Sequence, residues 1–351
     1  MKSYLNALMG SIAVAALAGT SAIAQSPGDH AKGMAHIAAA KKAAGYETYE
    51  IFDHTCQRLL VGVNLPFGRA PAPATRDPAQ FFQEPAKVFD NVYYVGEKML
   101  WGGSPSAWAI KTSDGIILID TMYEDSMQSV LLPGMKKMGL DPKDIKYIIL
   151  THGHGDHVGG AKYIQDTYKP HVILGGPDWD GLEKPNFRGP KPTRDISATD
   201  GMKVTLGDET ITIYLTPGHT PGTVSLLIPV KDNGVPHLAA LWGGTGMQYD
   251  PAQYGKNAER FRQIVAKSKA DVLMLTHSQL DKTDVKLPLL AKRKPGEPNP
   301  WVVGNQVLQN FLTVARECGA AAALMPEEYA GYLGRPPAAP GTAAAPAGGG
   351  R

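Results

Sequence analysis

Apolar residues run along this chain in short bursts, each closed by glycine or by a polar cluster. Residues 115–120 (GIILID), 145–150 (IKYIIL) and 171–175 (HVILG) are nearly continuous apolar runs, the pattern of strands covered on both faces. Residues 91–96, 106–112, 224–230, 237–244 and 271–277 are further β-rich runs, and residues 202–215 read as a hairpin turning at Gly207 and Asp208. The spacing of Met127, Val130, Leu131 and Met135 predicts a helix over 124–138, and two more are expected near 158–167 and 256–268. Eight or more strands with helices between them require sheets packed together and covered by helices.

Three of these strands run straight into a histidine: YIILTHGH (147–154), TIYLTPGH (212–219) and VLMLTH (272–277). Strand ends hold loops rigidly yet leave them open to solvent, so histidines arriving there from three distant places suit a composite site. The densest stretch is THGHGDHVGG, residues 151–160. His152 and His154 alternate on an extended segment and project from one side. Gly153 and Gly155 permit a tight path, Asp156 and His157 follow at once, and Gly159 and Gly160 admit close packing where the next helix starts. One cation cannot easily take four adjacent groups in a tetrahedral shell, whereas two neighbouring cations can share them. Imidazole and carboxylate ligands suit Zn²⁺, with Fe or Mn as other occupants. His30, His36, His54, His171 and His237 lie outside any such pattern and read as structural or solvated.

The THGHGDHVGG stretch resembles the H-x-H-x-D-H signature of the metallo-β-lactamase superfamily, and the likeness extends over roughly residues 88–280. GIILIDT is similar to the family's strand ending in aspartate, TPGHTPGTVSL to its third-histidine loop, and LMLTH to its last histidine. The resemblance implies an α+β fold, the αββα sandwich, with N- and C-terminal extensions. It implies that His152, His154 and His219 bind a first metal and Asp156, His157 and His277 a second, with Asp120 holding the histidine turn in place. Two Zn²⁺ per chain are expected, and Asp156 is also the expected catalytic group, hydrogen-bonding the attacking water that two dications activate.

Many members of this family carry a bridging aspartate between the third and last histidines, and some β-lactamases carry cysteine there. Here that strand reads LAALWGGTG, with Gly243, Gly244 and Thr245 at the place, and the nearest later acid is Asp250. A three-histidine site beside an aspartate–two-histidine site resembles subclass B3 β-lactamases. The function implied is hydrolysis of β-lactams. The alternative is a hydrolase of the same fold acting on lactones, carboxylic esters, thioesters or phosphotriesters, because this fold hosts many chemistries. Thr223 and Ser225, just after the third histidine, are candidates for contact with a substrate carboxylate. Trp101, Trp108 and Trp242 read as core, with the wall of a cleft as the alternative, and residues 177–190 as a loop flanking the site.

The chain ends add a boundary at each side. Residues 1–24 carry one lysine, an apolar run and Ala-Ile-Ala, the pattern of a secretory signal cleaved after Ala24, so a secreted or periplasmic protein with no membrane span after cleavage is expected. Residues 25–87 form an N-terminal extension in which 65–80 read as extended surface chain; 88–290 form the hydrolase-like domain, 291–333 a C-terminal helical segment, and 334–351 a disordered tail. Lys and Arg number 35 against 33 Asp and Glu, a net charge of +2 without a basic stripe, which gives nucleic-acid binding little support; a small-molecule substrate is what the resemblance implies. Cys56 and Cys318 either form one disulfide, if exported, or remain two free thiols.

Overall fold

The computed structural model describes residues 27–62, 77–98 and 104–335. The leader, Trp101, most of the 65–80 stretch and nearly all of the tail lie outside the described residues.

Seven strands form the first sheet in sequence order: β1 (Ala86–Lys87), β2 (Val92–Tyr94), β3 (Trp108–Thr112), β4 (Gly115–Ile119), β5 (Ile145–Ile149), β6 (His171–Gly175) and β7 (Ile196–Ala198). From β1 to β4 the pairs are antiparallel; from β4 to β7 they are parallel. The second sheet runs β12 (Val272–Leu275), β11 (Val235–Trp242), β10 (Val224–Asp232), β9 (Glu209–Leu215) and β8 (Met202–Leu206), antiparallel except for β11 with β12.

The continuous apolar runs are explained by burial on both faces. Ile117 and Ile119 of β4 point into the space between the sheets, where they meet Ile149, Ile173, Ile213, Val224, Leu226, Leu241 and Met274. Their neighbours Ile116 and Leu118 point the other way, onto helical residues Met127, Val130, Leu131, Met135 and Ile164. On the far side of the second sheet, Leu227, Ala240, Trp242, Leu273 and Leu275 pack under the helices Pro251–Ser268 and Asn305–Leu324. Helix, sheet, sheet, helix is the αββα sandwich.

Several elements differ from the sequence expectation. The helix expected over 124–138 is broken into Glu124–Ser126, a wide π-type turn Met127–Leu131 and Leu132–Lys137. The helix expected near 256 begins at Pro251, with Asp250 capping it. The edge strands β1 and β7 carry too few residues to leave a periodic signal. Residues 27–62 are largely helical, and Ile37, Ala40, Ile51, Phe52 and Leu59 join the core beneath Asn305–Leu324. A disulfide joins Cys56 to Cys318 on that helix, with Cα atoms 5.0 Å apart.

Candidate metal centre

β4 and β5 lie side by side with Ile119 opposite Ile149, so the residues after each strand meet. Asp120 takes a left-handed backbone conformation, φ 58°, one that Asp tolerates better than most residues. This turns its carboxylate back onto the histidine turn. It accepts hydrogen bonds from Thr151 N (2.7 Å), from Thr151 Oγ1 (2.8 Å) and from His157 Nδ1 (2.8 Å). Thr121 secures the same turn by donating to the His157 carbonyl from both its backbone N and its hydroxyl, each at 2.8 Å.

The loop between β9 and β10 delivers His219, and the segment after β12 delivers His277. His219 Nε2 stands 3.0 Å from His152 Nε2, and the His154 ring lies 4.7 Å and 4.8 Å from the rings of His152 and His219. His277 Nε2 stands 3.3 Å from His157 Nε2, while Asp156 Oδ2 is 3.4 Å from His157 Nε2 and 3.7 Å from His277 Nε2. Two groups result, His152–His154–His219 and Asp156–His157–His277, and within each the ligand atoms all lie within 4.8 Å of one another.

The donor set fits a cation in each group. His219 Nδ1 donates to the Gly246 carbonyl at 2.8 Å and His157 Nδ1 to Asp120, which puts a proton on each Nδ1. Thr151 Oγ1 gives its own proton to Asp120 and so accepts from His152 Nδ1 at 3.1 Å. His152 and His219 are thereby left to present Nε2 lone pairs inward, the arrangement of metal-binding histidines whose other nitrogen is engaged by the protein, while the bond to Asp120 orients His157. Burial, then the facing histidines, hold His152 and His219 well below the usual imidazole range, so these two lone pairs face each other without a shared proton. Burial and His157 likewise lower His277 to about 4. Burial works against the Asp156 carboxylate, but the charge and hydrogen bond of His157, with His277, outweigh it and keep it ionised. Two close-set lone pairs and an ionised carboxylate in a buried pocket are stabilised by positive charge.

Where a bridging carboxylate would stand, the backbone leaves no room for one. A Cβ on Gly243 would come within 1.7 Å of the Val224 carbonyl oxygen, and one on Gly244 within 2.3 Å of His219 Cβ. Asp250, the later acid, spends its carboxylate on Gln253 N (2.9 Å) and Gln253 Nε2 (3.0 Å) as a helix cap. Thr223 and Ser225 are fully buried. The Thr223 hydroxyl is bonded to Thr220 N (2.9 Å) and Thr220 Oγ1 (2.7 Å), and that of Ser225 to Thr216 Oγ1 (2.8 Å) and Gly243 N (3.1 Å). A substrate carboxylate would reach either hydroxyl only by displacing these partners. Trp108 and Trp242 are buried in the core.

Two residues near the centre gave no sequence signal. Asp178, in the stretch expected as a flanking loop, sits buried on the short helix Gly176–Leu182. It accepts from Gly153 N (2.7 Å), Thr220 Oγ1 (2.7 Å) and Gly222 N (2.8 Å), clamping the first and third histidine loops together. His54, from the N-terminal extension, is lowered to about 3 by burial, then by the charges of Arg58 and His277. The extension therefore reaches the electrostatic neighbourhood of the second ligand group.

The sequence profile of the metallo-beta-lactamase superfamily matches residues 100–232. Among curated proteins, metallo-beta-lactamase domain-containing protein 1 of Xenopus laevis is 28% identical over 165 residues, 46% of this chain and 65% of the relative. The N-acyl homoserine lactonase AttM of Azorhizobium caulinodans is 28% identical over 113 residues, 28% of this chain and 42% of the relative. The chain thus spans less than two thirds of these relatives. Among solved structures, native FEZ-1 metallo-beta-lactamase from Legionella gormanii shares the fold, at TM-score 0.56 and 24% identity over 66% of this chain and 92% of that one. BJP-1, a subclass B3 metallo-beta-lactamase of Bradyrhizobium japonicum, is 30% identical at TM-score 0.57, covering 68% of this chain and 92% of its own. Identity of that extent, over nearly the whole of a relative sharing the fold, places the chain in the metallo-beta-lactamase superfamily.

Proposed function

We propose that the protein is an exported dinuclear zinc hydrolase that opens β-lactam rings. The observation that carries this reading is the pairing of a three-histidine group with an aspartate–two-histidine group, completed around one turn by His219 and His277, with glycines where a bridging acid would be. The likeness to a subclass B3 enzyme supports the lactam as substrate, and the Cys56–Cys318 disulfide supports export to an oxidising compartment.

His152, His154 and His219 would hold the first zinc, and Asp156, His157 and His277 the second. When bound, the pair would supply Lewis acidity toward the carbonyl and lower the pKa of a water to about 7. The protein's part is positional. Asp156 stays ionised and accepts a hydrogen bond from the attacking water, which fixes its direction. Asp120 and Thr121 hold the turn so that His157 keeps its orientation. Asp178 keeps the loops of His154 and His219 at a fixed separation. The metal-bearing edge is largely buried, and exclusion of bulk water strengthens each charge interaction there.

A lactone is the second reading, favoured by the N-acyl homoserine lactonase among the relatives. One panel tests both: nitrocefin, a carbapenem, a homoserine lactone, a thioester and a phosphotriester, each with and without a chelator. Chelator-sensitive turnover confined to the lactams is expected. Turnover confined to the other substrates would replace the lactam reading. His152→Ala is expected to lose zinc and nearly all turnover; full zinc content at wild-type rate would refute the ligand assignment.

A further inference from the structure

We propose that Tyr332 is a positioning residue of the first metal group, acting on His219 through a single peptide bond. The inference rests on the metal reading above. His219 Nδ1 donates to the carbonyl of Gly246 at 2.8 Å. The N–H of that same peptide unit belongs to Met247, and it donates to Tyr332 Oη at 3.1 Å. Ring, peptide and phenol therefore form one chain, with the amide polarised from its far side. An amide whose N–H is bonded presents a more negative carbonyl, since hydrogen bonds in series strengthen one another by about 10–30% each. A stronger acceptor at Nδ1 makes Nε2 a better metal donor and fixes the plane of the ring.

The surroundings hold this arrangement. Tyr332 closes the short helix Pro326–Tyr332 and is 2% exposed. Its ring stacks on Tyr329 with centroids 6.1 Å apart and carries the Arg58 guanidinium 5.2 Å above it. A Cβ at position 246 would stand 2.9 Å from Tyr332 Oη, which is why the phenol approaches a glycine peptide. Tyr329 supplies an internal comparison. It too reaches this loop, donating from Oη to the Met247 carbonyl at 2.6 Å, but that carbonyl belongs to the next peptide, which does not touch His219. Both tyrosines hold the loop; only Tyr332 is in series with the histidine.

The test is a two-step Zn²⁺ titration against a chromophoric chelator, with Co²⁺ absorption reporting the ligand field of each site. It is run on wild type, Tyr332→Phe and Tyr329→Phe, with the thermal stability of each metal-free protein measured alongside. Tyr332→Phe is expected to weaken the three-histidine site by about tenfold and to shift its Co²⁺ bands, leaving the Asp156 site unchanged. Tyr329→Phe is expected to lower stability without that selective loss. Equal losses of affinity in the two variants, or none in either, would overturn the proposal. Should Tyr332→Phe not fold, 4-aminophenylalanine at 332 keeps the size with a weaker acceptor. It should give an intermediate affinity, and wild-type affinity there would overturn the proposal. A wild-type protein that takes up no zinc would instead refute the metal reading itself.

Discussion

Adjacent histidines in this centre differ in their protons. Burial lowers His157, but the carboxylates of Asp156 and Asp120 outweigh it and raise the ring to about 10, whereas His152 and His219 are held well below their usual range. In the metal-free protein near neutral pH, His157 therefore carries a second proton that a cation must displace, while His152 and His219 have none to give up. Uptake by the second site is expected to release one proton from His157 and to strengthen about tenfold per pH unit from pH 7 until pH approaches 10, whereas His152 and His219 release none at the first. Calorimetric zinc titrations in buffers of different ionisation enthalpy measure this directly, and uptake by the second site without proton release would contradict it. The residues involved were legible because H-x-H-x-D-H is local. Asp178 was not, because its three partners lie 25, 42 and 44 positions away.

Strand positions followed from the apolar runs, since a strand buried on both faces cannot hide its composition. Helix starts were harder. Pro251–Ser268 began five residues before its periodic pattern showed, because its first turn is set by a capping Asp250 and by proline rather than by apolar spacing. Asp250→Ala is expected to cost about 1 kcal/mol of stability, read from the urea midpoint, with zinc content unchanged. Loss of zinc in that variant would return Asp250 to the ligand set. The strands β1 and β7 exist because a neighbouring strand offers hydrogen bonds to an otherwise unremarkable segment.

The two ends of the described chain fold onto the sandwich as part of its outer helical layer. Ile37, Ile51, Phe52 and Leu59 meet Leu308, Phe311 and Leu312, and the disulfide joins residues 262 positions apart. A cross-link over so long a loop restricts the unfolded chain strongly, so the Cys56→Ala/Cys318→Ala protein is expected to lose about 3–5 kcal/mol. Reductant should bring the wild-type denaturation midpoint to that of the double variant. A wild-type midpoint indifferent to reductant would show that the bridge contributes nothing. Among the described residues no helix is long and apolar enough to cross a membrane.

The amino-acid sequence alone marked a sandwich of covered sheets, through the burial of its strands, and the dense His152–His157 cluster, through its local spacing; joining His219 and His277 to it in two ligand groups came from the family resemblance. It left the cysteines open, read His54 as structural or solvated, and was silent on Asp178 and Tyr332. Those roles depend on which backbone groups and charges lie across a gap, and only the folded chain brings them within hydrogen-bond reach. The glycines at 243 and 244 belong to both levels: their identity was readable, but their reason, a carbonyl and a histidine pressed against them, appears only in three dimensions.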